Sequence, residues 1–331
     1  MNIFRSRIVI ELRELTALLR RRIDPWYIKK WARIRENQRL KNLPYESGMN
    51  GYWIPQVMGQ EETLGFIMAK RCSVARFGDG EFELISGLGM LFEEANVELK
   101  NRLEEVLTTP LDNCLCCIPN SYGSLERYVD CDISFWRDFA LWSRPILHAC
   151  MEKRRARIGP GDNAILGDAQ ISRPYICFKD KGIAPKVFQL WKKLCLGKKL
   201  LVVEGRFSRI GIGNDLFAGA ARIRRIWCPP KGAFSRYAEI EKKILDVVEK
   251  DEVILLALGA TATILAYDLS RKGHWAIDVG HIDIEYMWMR MGVDGKVPIK
   301  GRYVSEVSGG QETQPEDGEE RLYNVVAKIG C

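Results

Sequence analysis

The chain has 331 residues, 47% of them hydrophobic, with a formal net charge of +7. This is enough apolar material for one large α/β domain or two small ones. No run reaches the roughly 20 apolar residues of a membrane-spanning helix, and the first residues lack an apolar signal core, so neither membrane insertion nor secretion is expected.

The basic excess is local. Residues 1–40 hold eleven Arg or Lys against four acids, a surplus equal to that of the whole chain. Phe4, Ile8, Leu12, Leu15 and Leu19 recur at helical spacing and predict an amphipathic helix from 3 to about 22, closed by Arg20, Arg21 and Arg22. Trp26, Tyr27 and Trp31 follow among Lys29, Lys30, Arg33 and Arg35. Such a segment either packs on the main domain or another subunit, or binds an anionic membrane surface. No nucleic-acid recognition motif accompanies it, so nucleic acid is not an expected partner. The division expected is a basic helical extension over 1–45, one catalytic domain over 46–306, and an acidic loop and tail over 307–331.

From about residue 61 helical patterns alternate with short apolar runs. The expected strands are 72–77, 114–118, 163–167, 199–203, 223–228, 253–258 and 274–278. The expected helices are 94–108, 134–152, 184–195, 235–249 and 261–271, with another starting near Leu216. This alternation predicts a Rossmann-like, mostly parallel sheet flanked by helices. The ten cysteines sit largely in apolar runs, as reduced core thiols do. Cys114, Cys116, Cys117 and Cys131 match no common zinc spacing, and Cys-Leu-Cys-Cys-Ile reads as a buried strand.

Ligands of open α/β sheets gather at the carboxyl ends of strands, and polar segments fall there in this chain. After 72–77 stands Arg76-Phe77-Gly78-Asp79-Gly80-Glu81. Two acids flanked by glycines in a tight turn suit a hard divalent cation, although Asp-Gly is also a common solvated turn. After 199–203 the run Glu204-Gly205 to Arg209, continuing to Asn214 and Asp215, offers a glycine-rich cradle for a diphosphate, with Asn214 or Asp215 as an alternative helix cap. Thr261 and Thr263 after 253–258 could hold a phosphate or ribose, or only cap a helix. His281, among Asp278, Asp283 and Glu285, could be a phosphate donor, a ligand or a proton carrier. Arg173 and Lys231 are cations just beyond strand ends. Neither a dinucleotide fingerprint nor a P-loop is present.

The order of these motifs resembles the GT-D glycosyltransferases: Arg-Phe-Gly-Asp-Gly-Glu, Ser-Arg-Pro at 172–174, Val-Glu-Gly with Ser-Arg-x-Gly-x-Gly-Asn-Asp-Leu, Thr-Ala-Thr with Ala-Tyr-Asp-Leu, and Asp-x-Gly-His-x-Asp-x-Glu-Tyr. The match covers about residues 60–290. It departs from the family's usual forms at Gly232 and Ala260, where an asparagine and a proline are common. The resemblance implies a nucleotide-sugar donor, Mn²⁺ or Mg²⁺ held by a D-x-E motif matching Asp79 and Glu81, and a bacterial surface glycan as acceptor, lipid-linked if the N-terminal segment meets a membrane. The protein is then expected in the cytoplasm or on the inner face of the membrane. Arg76, Gly78, Arg173, Gly205, Arg209, Asn214, Lys231, Thr261, Thr263 and His281 are the expected substrate contacts. Glu204, Asp215 and Glu285 are the candidate general bases for an inverting transfer. Two other readings are a non-catalytic sugar-nucleotide-binding subunit of a glycan assembly complex, and another Rossmann-like nucleotide-cofactor enzyme.

Overall fold

The computed structural model describes residues 51–52, 55–89, 93–158, 165–304, 306–310, 313, 321 and 323–330. The basic segment 1–45 and most of 311–322 lie outside these residues, so the helix expected at 3–22 and most of the acidic loop do too.

The described chain runs α1 (Gln60–Lys70), β1 (Ser73–Arg76), α2 (Asp79–Ile85), α3 (Val97–Thr108), β2 (Cys114–Ile118), α4 (Asp130–Ile158), β3 (Gly167–Asp168), a 3₁₀ turn (Ala169–Ser172), α5 (Ile183–Cys195), β4 (Lys199–Gly205), β5 (Arg222–Cys228), a second 3₁₀ turn (Ala233–Arg236), α6 (Tyr237–Val247), β6 (Glu252–Ala257), α7 (Ala260–Arg271), β7 (Trp275–Asp278), α8 (Ile282–Met291) and β8 (Val325–Lys328). The strands form one sheet in the order β3-β2-β1-β7-β6-β4-β5-β8, parallel at every pairing.

Burial on both faces explains the apolar runs. In β4, Leu200 and Val202 join one core cluster while Leu201 and Val203 join the other, and Val253, Leu255 and Ile254, Leu256 divide the same way in β6. A strand covered on both sides has no solvent face, so its sequence shows no polar alternation. The helices supply the cover with apolar stripes. In α5, Val187, Phe188, Trp191 and Leu194 turn inward, and Trp191 Nε1 donates to Ile171 O at 2.8 Å. The α3 helix starts at Asn96, whose side chain accepts from Glu98 N and Leu99 N.

Several expectations need correction. Residues 79–85 form a helix where a tight turn was expected, and Ile282–Met291 form a helix that was not expected. Residues 206–218 run as successive turns, and no helix begins at Leu216. The strand expected at 163–167 is displaced: only Gly167–Asp168 pair as a strand, and 159–164 lie outside the described residues. Val325–Lys328, in the presumed tail, adds an edge strand beside β5.

The topology makes the crevice. From β1 the chain steps outward through β2 to β3, while β7 arrives on the other side of β1. From β4 it steps outward to β5, while β6 fills the opposite side. Where neighbouring strands send their connections opposite ways, the carboxyl ends stand open to a ligand.

Gly167 packs too closely to accept a side chain: a Cβ there meets Cys117 Sγ at 2.5 Å and Thr63 Cγ2 at 2.8 Å. Gly167→Ala should destabilise the fold by about 1–3 kcal/mol through overpacking, read from the midpoint of urea unfolding.

Candidate active site

A cavity of about 480 Å³ opens at the carboxyl ends of the strands, within the range of small-molecule sites. Its wall takes Arg76, Gly78, Asp79 and Glu81 from the β1 end, Asp278, Gly280, His281 and Asp283 from the β7 end, and Gly205 from β4. Lys231 and Gly232 come from beyond β5, Gly259 from beyond β6, and Arg173 from beyond the first 3₁₀ turn.

Asp79 and Glu81 occupy the first turn of α2, where carboxylates meet the free N–H groups of a helix start. Glu81 folds back, and its Oε2 accepts from Gly78 N at 2.7 Å. Asp79 has no ion pair and no hydrogen bond to another residue's side chain among the described residues. Burial raises the pKa of both acids; nearby Arg173 opposes the shift at Asp79, and Glu81 reaches about 7.

Arg76 lines the cavity, but its guanidinium is committed to the scaffold. Nε donates to Asp278 O at 3.1 Å, Nη1 to Ala169 O at 3.0 Å, and Nη2 to the Asp278 carboxylate at 3.2 Å. Gly280, at φ +46°, lies so close that a Cβ would stand 1.9 Å from Arg76 Nη2, a position only glycine can fill. Lys231 is the freer cation: its ammonium lies 5.9 Å from the Tyr303 ring centroid and has no ion pair among the described residues.

A second charged group on the cavity wall centres on Glu306. Glu306 receives two bonds from Arg173 at 2.8 Å, sits 2.6 Å from Lys296 Nζ, and lies 3.7 Å from His281 Nε2. Burial pushes the Glu306 carboxyl up, but Arg173, His281 and Lys296 together outweigh it and hold the group far below the usual carboxylate range. Burial, with help from Arg173 and Arg76, lowers the His281 pKa to about 4.

Seven expected site residues stand elsewhere. Glu204 is fully buried beneath the sheet end, 2.5 Å from Arg225 Nη1, and accepts from Ile210 N at 2.7 Å. Glu285, also fully buried, accepts from Tyr175 N at 3.0 Å and Ile176 N at 2.9 Å and lies 3.5 Å from Arg173. Asp215 is on the surface, held by Lys192, Tyr286 and Arg290. None of these three lines the cavity. Arg209 turns to Gly301 O at 2.7 Å, and Asn214 donates to Asp283 at 2.7 Å. Thr261 and Thr263 are buried in the start of α7, where Thr263 donates to Arg76 O at 2.8 Å. These groups fasten loops to the scaffold and leave the cavity wall to their neighbours.

The wall also holds residues the motifs did not single out: Glu93, Asp132, Phe135, Trp136, Lys296, Tyr303 and Glu306. Lys296, Tyr303 and Glu306 come from a segment without periodic pattern, and Asp132 and Phe135 look like an ordinary helix start. Their position depends on contacts far apart in the chain.

The model of the glycosyltransferase GT-D fold family matches residues 74–307. The chain is 34% identical over 274 residues to a probable glycosyl transferase Gly of Streptococcus gordonii, covering 82% of this chain and 39% of the relative. It is 35% identical over 277 residues to the glycosyltransferase GlyD of Streptococcus pneumoniae serotype 4, covering 83% and 33%. It thus spans only a third to two fifths of these relatives' length. Among solved structures it is similar to a highly conserved domain of unknown function, 1792, described as having a distinct glycosyltransferase fold, with TM-score 0.78, 36% identity, 87% of this chain covered and all of that one. A new glycosyltransferase (DUF1792) from Streptococcus sanguinis superposes with TM-score 0.73 at 35% identity, covering 84% of this chain and all of that one.

Two measurements test this geometry. Glu204→Ala strands the Arg225 charge in the interior and should cost about 3–5 kcal/mol in unfolding free energy. Between pH 4.5 and about 7 the folded protein keeps a proton on Glu81 that the unfolded chain releases, so the Glu81 contribution to stability falls as pH rises, while His281, held neutral in the fold, contributes in the opposite sense up to about pH 6.5. Relative to wild type, Glu81→Gln should therefore gain stability as pH rises through that window, read from thermal melts of both proteins.

Proposed function

The chain belongs to the GT-D glycosyltransferase fold family, and from that premise we propose that it transfers a sugar from a nucleoside diphosphate donor, a UDP-sugar, to a bacterial surface-glycan acceptor with help from a divalent cation. The observation that carries this reading is the placement of Asp79 and Glu81 in a cavity whose wall also contains Arg173, Lys231, Lys296 and His281. Two acids beside several cations suit a ligand that brings both phosphate oxygens and a metal.

The residues fit such a metal. Asp79 is free of competing ion pairs among the described residues, and Glu81 spends only one oxygen on Gly78 N. No group of three or more His, Cys, Asp or Glu among the described residues could hold a metal. The protein would therefore supply two oxygen-bearing side chains and leave the other positions to phosphate and water, as Mg²⁺ and Mn²⁺ sites commonly do. When bound there, the cation would supply Lewis-acid stabilisation of the leaving diphosphate.

The chain's own groups do the rest. Lys231 can swing its ammonium toward the diphosphate from beyond β5. Arg173 and Lys296 place fixed positive charge opposite α2, where negative charge grows as the anomeric bond breaks. Pro229 and Pro230 lie against Gly205, where a Cβ would stand 3.2 Å from Pro230 Cα, so the β4 and β5 ends form one rigid wall.

The basic charge of residues 1–40 supports contact with the cytoplasmic face of a membrane, and a lipid-linked acceptor would follow from that contact. No helix among the described residues is long and apolar enough to cross a membrane.

Purified protein should release UDP from one member of a UDP-sugar panel in the presence of Mn²⁺ and acceptor, with the product identified by mass. Asp79→Asn and Glu81→Gln should each lower the rate at least about 100-fold while keeping a cooperative melt. Full activity in either variant, or undiminished turnover in excess chelator, would remove the metal from the reading.

A further inference from the structure

An inverting transfer needs a group that takes the acceptor hydroxyl proton, and three carboxylates on the cavity wall are each held by an arginine. Asp278 is held by Arg76, Gly280 N and Thr263. Asp283 is held by Arg302, by Gly211 N at 2.8 Å and by Asn214. Glu306 is saturated by Arg173 and Lys296. Glu93 accepts from Phe234 N at 3.4 Å, and Asp132 is hydrogen-bonded to the Cys177 thiol. Asp79 and Glu81 are assigned to the cation.

His281 is different. It follows β7, the strand paired with β1, so it enters the cavity beside the turn that carries Asp79. Its side chain keeps 32% of its surface open, and its Nε2 faces Glu306 at 3.7 Å, an ion-pair distance and longer than a hydrogen bond. Nδ1, on the far side of the ring, has no partner among the described residues.

We propose that His281 is the general base of the transfer, with Glu306 as the positioning residue that holds the imidazolium as it forms. The inference rests on the glycosyltransferase reading above and commits it to inversion. The acceptor O–H bond breaks and its proton passes to His281 Nδ1. The freed oxygen bonds to the anomeric carbon, and the bond from that carbon to the diphosphate breaks, with the electron pair leaving on the nucleoside diphosphate. The imidazolium then gives its proton to water. Burial and the neighbouring Arg173, Arg76 and Lys296 keep the ring unprotonated at neutral pH, with a lone pair available, while Glu306 pulls the other way. Glu306, 3.7 Å from Nε2 and shared with Arg173 and Lys296, supplies a negative charge beside the imidazolium through space, without the direct hydrogen bond of a hydrolytic triad.

The test uses the full chain with the sugar donor active in the panel, and UDP with MnCl₂ as the binding probe. His281→Asn and His281→Gln should lower kcat about 10²–10⁴-fold and leave UDP affinity within about twofold, and NMR of the wild-type product should show the inverted anomer. Glu306→Gln should lower kcat by a smaller factor without weakening UDP, because it removes an anion from Arg173 and Lys296. A retained anomer overturns the proposal, as does a kcat within tenfold of wild type in a folded His281 variant. UDP binding weakened more than tenfold at unchanged kcat would make His281 a phosphate donor instead. Wild-type protein that transfers no sugar from any donor overturns the wider reading along with this one.

Discussion

Buried carboxylates paired with arginines hold the carboxyl edge of this sheet in shape. Glu204 meets Arg225, Asp278 meets Arg76, Asp283 meets Arg302, and Glu285 meets Arg173. Each acid also accepts from backbone N–H groups of a nearby loop: Ile210 for Glu204, Gly280 for Asp278, Gly211 for Asp283, and Tyr175 and Ile176 for Glu285. A charge taken out of water is tolerated only when paired and hydrogen-bonded, so these loops have little freedom to move away from their acids.

This arrangement divides the polar residues into two sets that look alike in sequence. Glu204, Asp283 and Glu285 spend their oxygens on the scaffold, while Asp79 does not. Arg76, Arg209 and Arg302 donate to backbone carbonyls, while Lys231 faces the cavity beside the Tyr303 ring and has no ion pair among the described residues. The reactive surface is what the scaffold leaves unsatisfied. Preorganised charge in a partly enclosed cavity acts without reorganising at the moment of reaction.

Arg173 links the two sets. Glu285 braces it from the protein side, and Glu306 takes two of its bonds from the cavity side. Through Glu306 the same guanidinium is coupled to Lys296 and His281. A change at any of these residues alters the field at the others, and Asp79 faces the same group.

The parallel sheet, most of its strands and the place of Asp79 and Glu81 just beyond the end of β1 were legible in the amino-acid order. Continuous apolar runs mark strands covered on both faces, and glycines beside acids after such a run mark a ligand-facing strand end. The resemblance to GT-D glycosyltransferases was carried by the same motifs, and the family match over 74–307 supports it. Tertiary structure alone decided which acids are buried in ion pairs and which face the cavity. Glu204 follows its strand just as Asp79 does, yet β5 brings Arg225 against it across 21 positions of chain. The same physics hid Lys296 and Glu306, which have no local pattern and acquire their place from Arg173, more than a hundred residues away. Sequence fixes which groups can ionise, but the distance to a partner and to water fixes which of them remain available to a ligand.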